Sequence, residues 1–234
     1  MTIHHSPGIS ALIGPNAAGK TYYLRSLIGP DAAYVPAAAD AFFAGRTVAD
    51  HIAWAREATP RAALSLPFDT STRLSKLSVG QRRELTFALA LAAEKPLLLL
   101  DEPFDGLDAA TRARLRNNLI DFVAADNTRV VIMASHRSED LAGLADRVIR
   151  VFDQVTSQPL LLDDARASFP VLTGRKADVD KLIAGRDVIA AQSLGPTLRA
   201  QLAEPCTGAD GADGVELTYP NDAELIDLLA TRKA

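Results

Sequence analysis

The sequence predicts an α/β fold in which helices flank a mainly parallel sheet. Three observations support this fold class. Short apolar stretches that are typical of buried strands alternate with segments that carry helix signals. A glycine-rich loop separates the first predicted strand from the first predicted helix. Residues 97–100 are all leucine, as expected for a central parallel strand that is covered on both faces.

The glycine-rich loop, residues 14–21, fits the pattern G-x-x-x-x-G-K-T/S. It follows apolar residues 9–13 and precedes residues 22–27, which contain no helix breaker. In such a loop the glycines let successive N–H groups face phosphates. We therefore expect a P-loop NTPase core, with an ordinary glycine turn as the alternative. The residues expected to bind ATP in this segment are Gly14, Pro15, Asn16, Ala17, Ala18, Gly19, Lys20, Thr21 and Tyr22.

Two acids, Asp101 and Glu102, follow the leucine run. Beside a phosphate loop, one carboxylate at the end of such a strand can hold Mg²⁺ and the next can polarise the attacking water. We expect Asp101 and the Thr21 hydroxyl to bind the metal, Glu102 to act as general base, and Lys20 to reach the β- and γ-phosphates. Acids that simply end a buried strand are the alternative.

Composition limits the remaining possibilities. The 234 residues include 48% hydrophobic residues, which is enough for one domain of ordinary size and a smaller appendage. The net charge of −4 gives no broad attraction to nucleic acid, so none is expected as a partner. A single cysteine, Cys206, and the lack of a signal peptide or bilayer-long apolar run favour a cytoplasmic location.

The other core elements follow in a regular order. Residues 32–35 are predicted to form a strand, and Thr47 to Asp50 has the character of a capping box before a helix over residues 51–57. The later predictions are helices over residues 82–93, 109–124 and 138–144, and strands over residues 129–134 and 147–152.

Residues 77–81, Leu-Ser-Val-Gly-Gln, resemble the L-S-x-G-Q signature of the ATP-binding-cassette (ABC) ATPases. The resemblance covers roughly residues 8–152. It implies that Ser78, Gly80 and Gln81 begin a helix whose N-terminus points at the γ-phosphate held by an opposite subunit. An ordinary serine helix cap is the alternative interpretation, and the two are compatible.

Two further segments lie where this resemblance would place them. Residues 104–108 resemble the family's D-loop, which implies that Asp108 lies at a dimer interface and near nucleotide. His136 follows a predicted strand and is similar to the switch histidine that contacts the γ-phosphate. A lone histidine after a strand is more often a surface residue, but the order of the motifs favours a catalytic His136.

The sequence departs from the family pattern in three places. Ala37 stands where the family has a glutamine that touches Mg²⁺ and the attacking water. The chain between the phosphate loop and residue 37 is short, so the antiparallel β-subdomain is expected to be reduced. Its adenine-stacking aromatic residue would then be missing, with His4, His5 or Tyr22 as candidate substitutes. Tyr22 also replaces a small hydroxyl residue next to Thr21.

We divide the chain into a nucleotide-binding domain, residues 1–158, and a small C-terminal α/β appendage, residues 159–234. In the appendage we predict strands at residues 169–173, 187–191 and 215–219 and helices at residues 176–184 and 221–231, the latter capped by Asn221. Residues 197–203 fit either a strand or a helix. Residues 206–214 are predicted to form an exposed loop, and they lack the spacing of a calcium site.

The resemblance implies a Mg²⁺-dependent, ATP-hydrolysing subunit of an ABC transporter, with an exporter favoured. It further implies a head-to-tail dimer, with itself or a related ABC subunit, and docking to a separate integral membrane subunit through the helical subdomain around residues 47–93. Trp54 and the pair Phe42-Phe43 are candidate docking residues, although inward packing is the commoner role for such side chains. The alternatives are a soluble ABC-type ATPase without a transport role and an ATP-binding regulatory module with little turnover.

Overall fold

A computed structural model describes residues 5–58, 64, 66–206 and 214–232. The centre of the fold is a sheet of five parallel strands, namely β1 (Gly8–Ile13), β2 (Ala32–Val35), β3 (Leu97–Asp101), β4 (Val130–Ala134) and β5 (Arg147–Phe152). They lie side by side in the order β2-β3-β4-β1-β5. Two short strands, β6 (Val155–Thr156) and β7 (Leu160–Leu161), pair antiparallel with β5. The predicted α/β fold with a mainly parallel sheet is confirmed.

Five helices connect these strands, namely α1 (Lys20–Ser26), α2 (Val48–Ala58), α3 (Val79–Ala92), α4 (Ala109–Ala124) and α5 (Ser138–Leu141). Helix α5 is shorter than the predicted span of residues 138–144, and that prediction of its end is wrong. Ala142 has an extended ψ of 133°, and Gly143 has φ of 67°, a left-handed conformation that glycine adopts without strain. The turn therefore ends the helix at Leu141.

The sheet is buried on both faces, which explains the leucine run. Alternate residues of a strand point to opposite faces. Leu98 and Leu100 belong to a hydrophobic cluster with Phe87 of α3 and Leu119 of α4. Leu99 lies in a second cluster on the opposite face, which includes Leu24 of α1.

Helices α2 and α3 share a smaller core, formed by Val48, Ala55, Leu74, Leu77, Leu85 and Leu89. The capping box predicted before α2 is present: Thr47 N–H donates to Asp50 Oδ2 at 2.9 Å, and Asp50 N–H donates to Thr47 Oγ1 at 3.2 Å. Residues 27–31 alone separate α1 from β2, so no antiparallel strand lies in that connection. This agrees with the expected reduction of the antiparallel β-subdomain.

The C-terminal part contains a second sheet of four antiparallel strands in the order β11-β8-β10-β9. Their bounds are β8 (Val171–Arg175), β9 (Val188–Leu194), β10 (Thr197–Leu202) and β11 (Val215–Thr218). Residues 197–202, which the sequence leaves open, form a strand because they pair with both β8 and β9. Helix α7 (Lys176–Ile183) packs on this sheet through the buried Val179.

Two helices of the C-terminal part return to the first core. These are α6 (Leu162–Arg166) and α8 (Asp222–Thr231), and α8 begins with a capping box between Asn221 and Glu224. Their buried side chains belong to the same hydrophobic cluster as β1 and β4, and they are Leu162, Ala165, Leu225, Ile226 and Leu229. The boundary at residue 158 stays a prediction, and the residues beyond it share a core with those before it.

Some predicted features fall on residues outside the described ranges. His4, one of the candidate adenine contacts, is among them, and so are residues 207–213 of the predicted loop. Within the described ranges, the helices are all too short or too polar to cross a membrane.

Replacement of Leu225 by alanine tests whether α8 is part of the main core. Leu225 is fully buried, so we expect Leu225→Ala to lower the free energy of unfolding by about 2 to 5 kcal/mol, through reduced apolar burial and the cavity left behind. Urea unfolding measures this. The exposed Asp227 on the same helix provides the control, Asp227→Ala. Equal stability of the two variants would show that α8 is not packed as described.

Candidate active site

The phosphate loop connects β1 to α1 and closes around Lys20. The Lys20 ammonium donates to the carbonyl oxygens of Gly14, at 2.8 Å, and Pro15, at 3.0 Å. Gly14 has φ of 144°, and a Cβ there would lie 2.1 Å from the carbonyl oxygen of Val151, so glycine is required by both conformation and space. A lysine ammonium has three donors, and two are used within the loop.

Burial lowers the pKa of Lys20, while the nearby carboxylates of Glu102 and Asp101 act in the opposite direction. This electrostatic influence means that the lysine and the acid pair lie within one site. The three residues come from the segments after β1 and β3, whose carboxyl ends meet at the same edge of the parallel sheet.

Asp101 is the last residue of β3, and only 2% of it is exposed. Its Oδ2 accepts a hydrogen bond at 3.3 Å from the hydroxyl of Tyr34 on β2. Asp101 therefore has a fixed orientation, which suits a carboxylate that holds a metal ion.

Glu102 and His136 contact each other. Glu102 Oε2 lies 2.8 Å from His136 Nδ1 and accepts a second, longer hydrogen bond of 3.3 Å from the His136 N–H. Glu102 has φ of 47°, an unusual conformation for a glutamate. The structure thus brings together the predicted base, the predicted switch histidine and, through the acid pair, Lys20.

The donor set fits a magnesium ion. Mg²⁺ prefers oxygen ligands and is usually bound by one or two protein oxygens together with substrate phosphates. The Thr21 hydroxyl at the start of α1 and the Asp101 carboxylate at the end of β3 are ligands of this kind. Their roles stay predictions.

The signature segment begins helix α3 through a capping box. Gln81 N–H donates to Ser78 Oγ at 3.1 Å, and Ser78 N–H donates to Gln81 Oε1 at 2.9 Å. The side chains of Ser78 and Gln81 therefore stabilise their own helix, as the capping alternative requires. Their contact with nucleotide stays a prediction.

The signature lies beside the D-loop segment. Both line a groove of about 580 Å³ whose walls include Ser78, Gly80, Gln81, Gly106, Asp108 and Thr111. Asp108 caps α4: its carboxylate accepts from Thr111 N–H at 2.9 Å and from Thr111 Oγ1 at 3.0 Å, and these hydrogen bonds lower the pKa of Asp108. The predicted interface role of Asp108 stays untested.

Two residues of this site were not singled out from the sequence, Tyr34 and Arg83. Arg83 donates to the carbonyl oxygens of Pro36, at 2.6 Å, and Glu102, at 2.8 Å. Phe87 and Ala90 follow Arg83 by four and seven residues, which is the periodicity of one helix face. This pattern is the sequence signal that places Arg83 on the buried face of α3. Tyr34 gives no such signal, because tyrosine is common in strands.

The candidate adenine contacts differ in exposure. Tyr22 is 70% exposed on α1, whereas the ring of His5 lies against Tyr23, whose hydroxyl is 3.1 Å from His5 Nε2. Their contact with adenine stays a prediction.

The chain is similar to several known proteins. A family profile described as "ABC transporter" matches residues 30–105. An aliphatic sulfonates import ATP-binding protein of Rhodococcus jostii is 30% identical over 67% of this chain and 73% of its own length. A relative of the same description from Pseudomonas syringae pv. tomato is 33% identical over 84% of this chain and 75% of its own.

A solved structure of an ATP-binding subunit of an ABC transporter superposes with a TM-score of 0.58, at 21% identity, over 70% of this chain and 82% of that one. At this identity the likeness shows the fold. The fold and the phosphate loop define the class of P-loop nucleotide-binding proteins. By its relatives, the chain belongs to the family of ABC transporter ATP-binding proteins.

Removal of the Tyr34 hydroxyl tests its support of Asp101. We expect Tyr34→Phe to raise the Mg²⁺ concentration that gives half-maximal ATP hydrolysis by about tenfold, because groups that orient a metal ligand typically influence affinity to this degree. A Mg²⁺ titration at saturating ATP measures this. Tyr23→Phe is the matched control, since the Tyr23 hydroxyl contacts His5 instead. An unchanged Mg²⁺ dependence of ATP hydrolysis would show that the Tyr34 hydroxyl does not support Asp101 as a metal ligand.

Proposed function

We propose that this chain hydrolyses ATP as the cytoplasmic motor subunit of an ABC importer. The observation that carries the proposal is the 2.8 Å contact between Glu102 Oε2 and His136 Nδ1, beside the carboxylate of Asp101 and within electrostatic reach of Lys20. A glutamate fixed at the end of a central strand, next to a phosphate loop, is suited to take a proton from an attacking water.

We propose an importer, whereas the sequence alone led us to expect an exporter. The two relatives described above are named as sulfonate import proteins, and a sulfate/thiosulfate import ATP-binding protein of Chromobacterium violaceum is 33% identical over 59% of this chain. These names apply to those proteins. The names of these relatives support import as the direction of transport for this chain. The transported solute depends on other subunits.

The residues have distinct roles in the proposed reaction. Lys20 and the loop N–H groups bind the β- and γ-phosphates, and Thr21 with Asp101 would hold Mg²⁺, which supplies neutralisation of phosphate charge. Glu102 accepts the proton of the attacking water. His136, which contacts the Glu102 carboxylate, would orient it and would contact the γ-phosphate.

A head-to-tail pair of chains would complete each site. In one chain the signature lines a groove with the D-loop segment, and Val79 beside it is 56% exposed. A second chain, either a copy or a related ABC subunit, would bring its phosphate loop to this groove, so that Ser78, Gly80 and Gln81 face the ATP of the partner. A two-fold arrangement gives two equivalent sites.

The variant Glu102→Gln tests both the base and the pair. Glutamine keeps the shape but cannot accept a proton, so we expect turnover to fall by at least a hundredfold while ATP affinity is retained and an ATP-bound dimer accumulates. Steady-state hydrolysis and size-exclusion chromatography with light scattering measure the two effects. The exposed Glu216 provides the control, Glu216→Gln. A Glu102→Gln protein that stays monomeric at saturating ATP would contradict the dimer.

The docking surface for a membrane subunit is proposed at a groove of about 520 Å³ between the edge strand β2 and helices α2 and α3. Phe42 and Trp54 line it, 70% and 46% exposed, with ring centroids 5.8 Å apart. Phe43 instead packs against the core of the helical segment. An exposed aromatic pair beside a groove supports an interaction surface.

Removal of these aromatic side chains should weaken binding of the membrane subunit. We expect the double variant Phe42→Ala, Trp54→Ala to reduce recovery of an integral membrane partner in detergent co-purification by at least tenfold, because buried aromatic residues dominate interface energies. Leu194→Ala, which alters an exposed residue elsewhere, is the control. Undiminished co-purification would show that the membrane subunit does not dock at this groove.

One observation favours a second candidate function. Ala37, two residues after the end of β2, offers no polar side chain to the metal or water, which suits an ATP-binding regulatory module with little turnover. ATP binding without hydrolysis would support that alternative.

A further inference from the structure

The segment after β2 is connected to the acid pair by an arginine. Val35 ends β2, and the next two residues, Pro36 and Ala37, carry no polar side chain. The carbonyl oxygen of Pro36 nevertheless has a strong donor, since one terminal nitrogen of Arg83 lies 2.6 Å from it. The segment after β2 therefore has a polar contact through its main chain, although neither of these two side chains is polar.

The same guanidinium reaches the catalytic glutamate. The other terminal nitrogen of Arg83 donates to the carbonyl oxygen of Glu102 at 2.8 Å. Arg83 is 3% exposed and lies on α3, in the second turn after the signature cap Ser78. A planar guanidinium with two donors in fixed directions therefore joins the signature helix to the ends of β2 and β3.

The Glu102 main chain needs such support. With φ of 47°, Glu102 has a left-handed conformation that L residues adopt only when their surroundings hold them. Its N–H donates to the Ala134 carbonyl at 2.9 Å, and its carbonyl accepts from Arg83. Both main-chain groups of Glu102 are thus fixed, and its carboxylate is directed to His136 at 2.8 Å.

Packing alone does not explain an arginine at this position. Burial lowers the pKa of Arg83, and the carboxylates of Asp105, Asp101 and Glu102 only partly offset that cost. Its Nε is buried without a hydrogen-bond partner in the part of the chain that the structure describes. An apolar side chain would fill the same space without these costs, so the two carbonyl contacts are the reason for the arginine.

We propose that Arg83 is a positioning residue that couples the signature helix to Glu102, a link that the short apolar side chain of Ala37 cannot provide. A shift of α3 on assembly with a partner chain changes the position of the Glu102 main chain through this guanidinium, and with it the alignment of the base. The role of Arg83 in turnover rests on the proposed function, whereas its hold on the Glu102 main chain does not.

The test compares Arg83→Gln and Arg83→Lys with Arg82→Gln. Arg82 is the adjacent arginine of α3, exposed, and its guanidinium lies 3.3 Å from the Leu74 carbonyl oxygen and over the Phe43 ring. Each variant is assayed for kcat and KM, for ATP affinity in a Glu102→Gln background, for unfolding by urea, and for amide hydrogen exchange over residues 97–108.

We expect Arg83→Gln to lower kcat by about a hundredfold with ATP affinity within about threefold, because a small misplacement of a catalytic group can cost that much. Arg83→Lys should recover part of the activity, since an ammonium can still reach one carbonyl. Exchange at Glu102 should be at least tenfold faster in Arg83→Gln than in the wild type, and Arg82→Gln should match the wild type in kcat, in ATP affinity and in exchange at Glu102.

Two kinds of result would overturn the proposal. One is a folded Arg83→Gln protein with kcat within about twofold of wild type and unchanged exchange at Glu102. The other is a parallel decrease of kcat, ATP affinity and stability without recovery by lysine, which would indicate a structural role alone. If the wild type binds ATP and shows no turnover, the proposed function fails, and the exchange comparison still decides whether Arg83 holds Glu102.

Discussion

The parallel pairing of β3 with β4 is the constraint on which the site depends. Asp101 lies opposite Ala134 in this pairing, and the Glu102 N–H continues it with a hydrogen bond to the Ala134 carbonyl. Because both strands run in the same direction, their carboxyl ends lie at one edge, and Glu102 meets His136 there. The phosphate loop reaches the same edge because β1 pairs in parallel with β4.

Polar contacts from α3 and from β2 reach the acid pair at this edge. Arg83 reaches the carbonyls of Pro36 and Glu102, and on the neighbouring strand the Tyr34 hydroxyl reaches Asp101. Both arginine contacts use main-chain carbonyls, which are present whatever side chain follows. This explains how a chain with Ala37 after β2 can retain a connection between the signature helix and the acid pair.

Much of the site could be predicted from the sequence because its signals are local. Neighbours a few positions away determine the phosphate loop and the acid pair. The same holds for the helix caps, Ser78 of α3 and Asn221 of α8. The contacts of Arg83 join residues 47 and 19 positions apart, which no local pattern reveals. The return of α8 to the main core and the strand at residues 197–202 likewise depend on distant partners, so the sequence left them open or separate.

Whether this chain acts as a motor subunit depends on the catalytic competence of its ATP site despite Ala37. Steady-state phosphate release by the purified protein, with ATP and with or without Mg²⁺, tests it most directly. We expect Mg²⁺-dependent turnover whose specific rate rises with protein concentration, because two chains would form each complete site. Saturable ATP binding with no phosphate release above background at any protein concentration would show that the site is not catalytically competent.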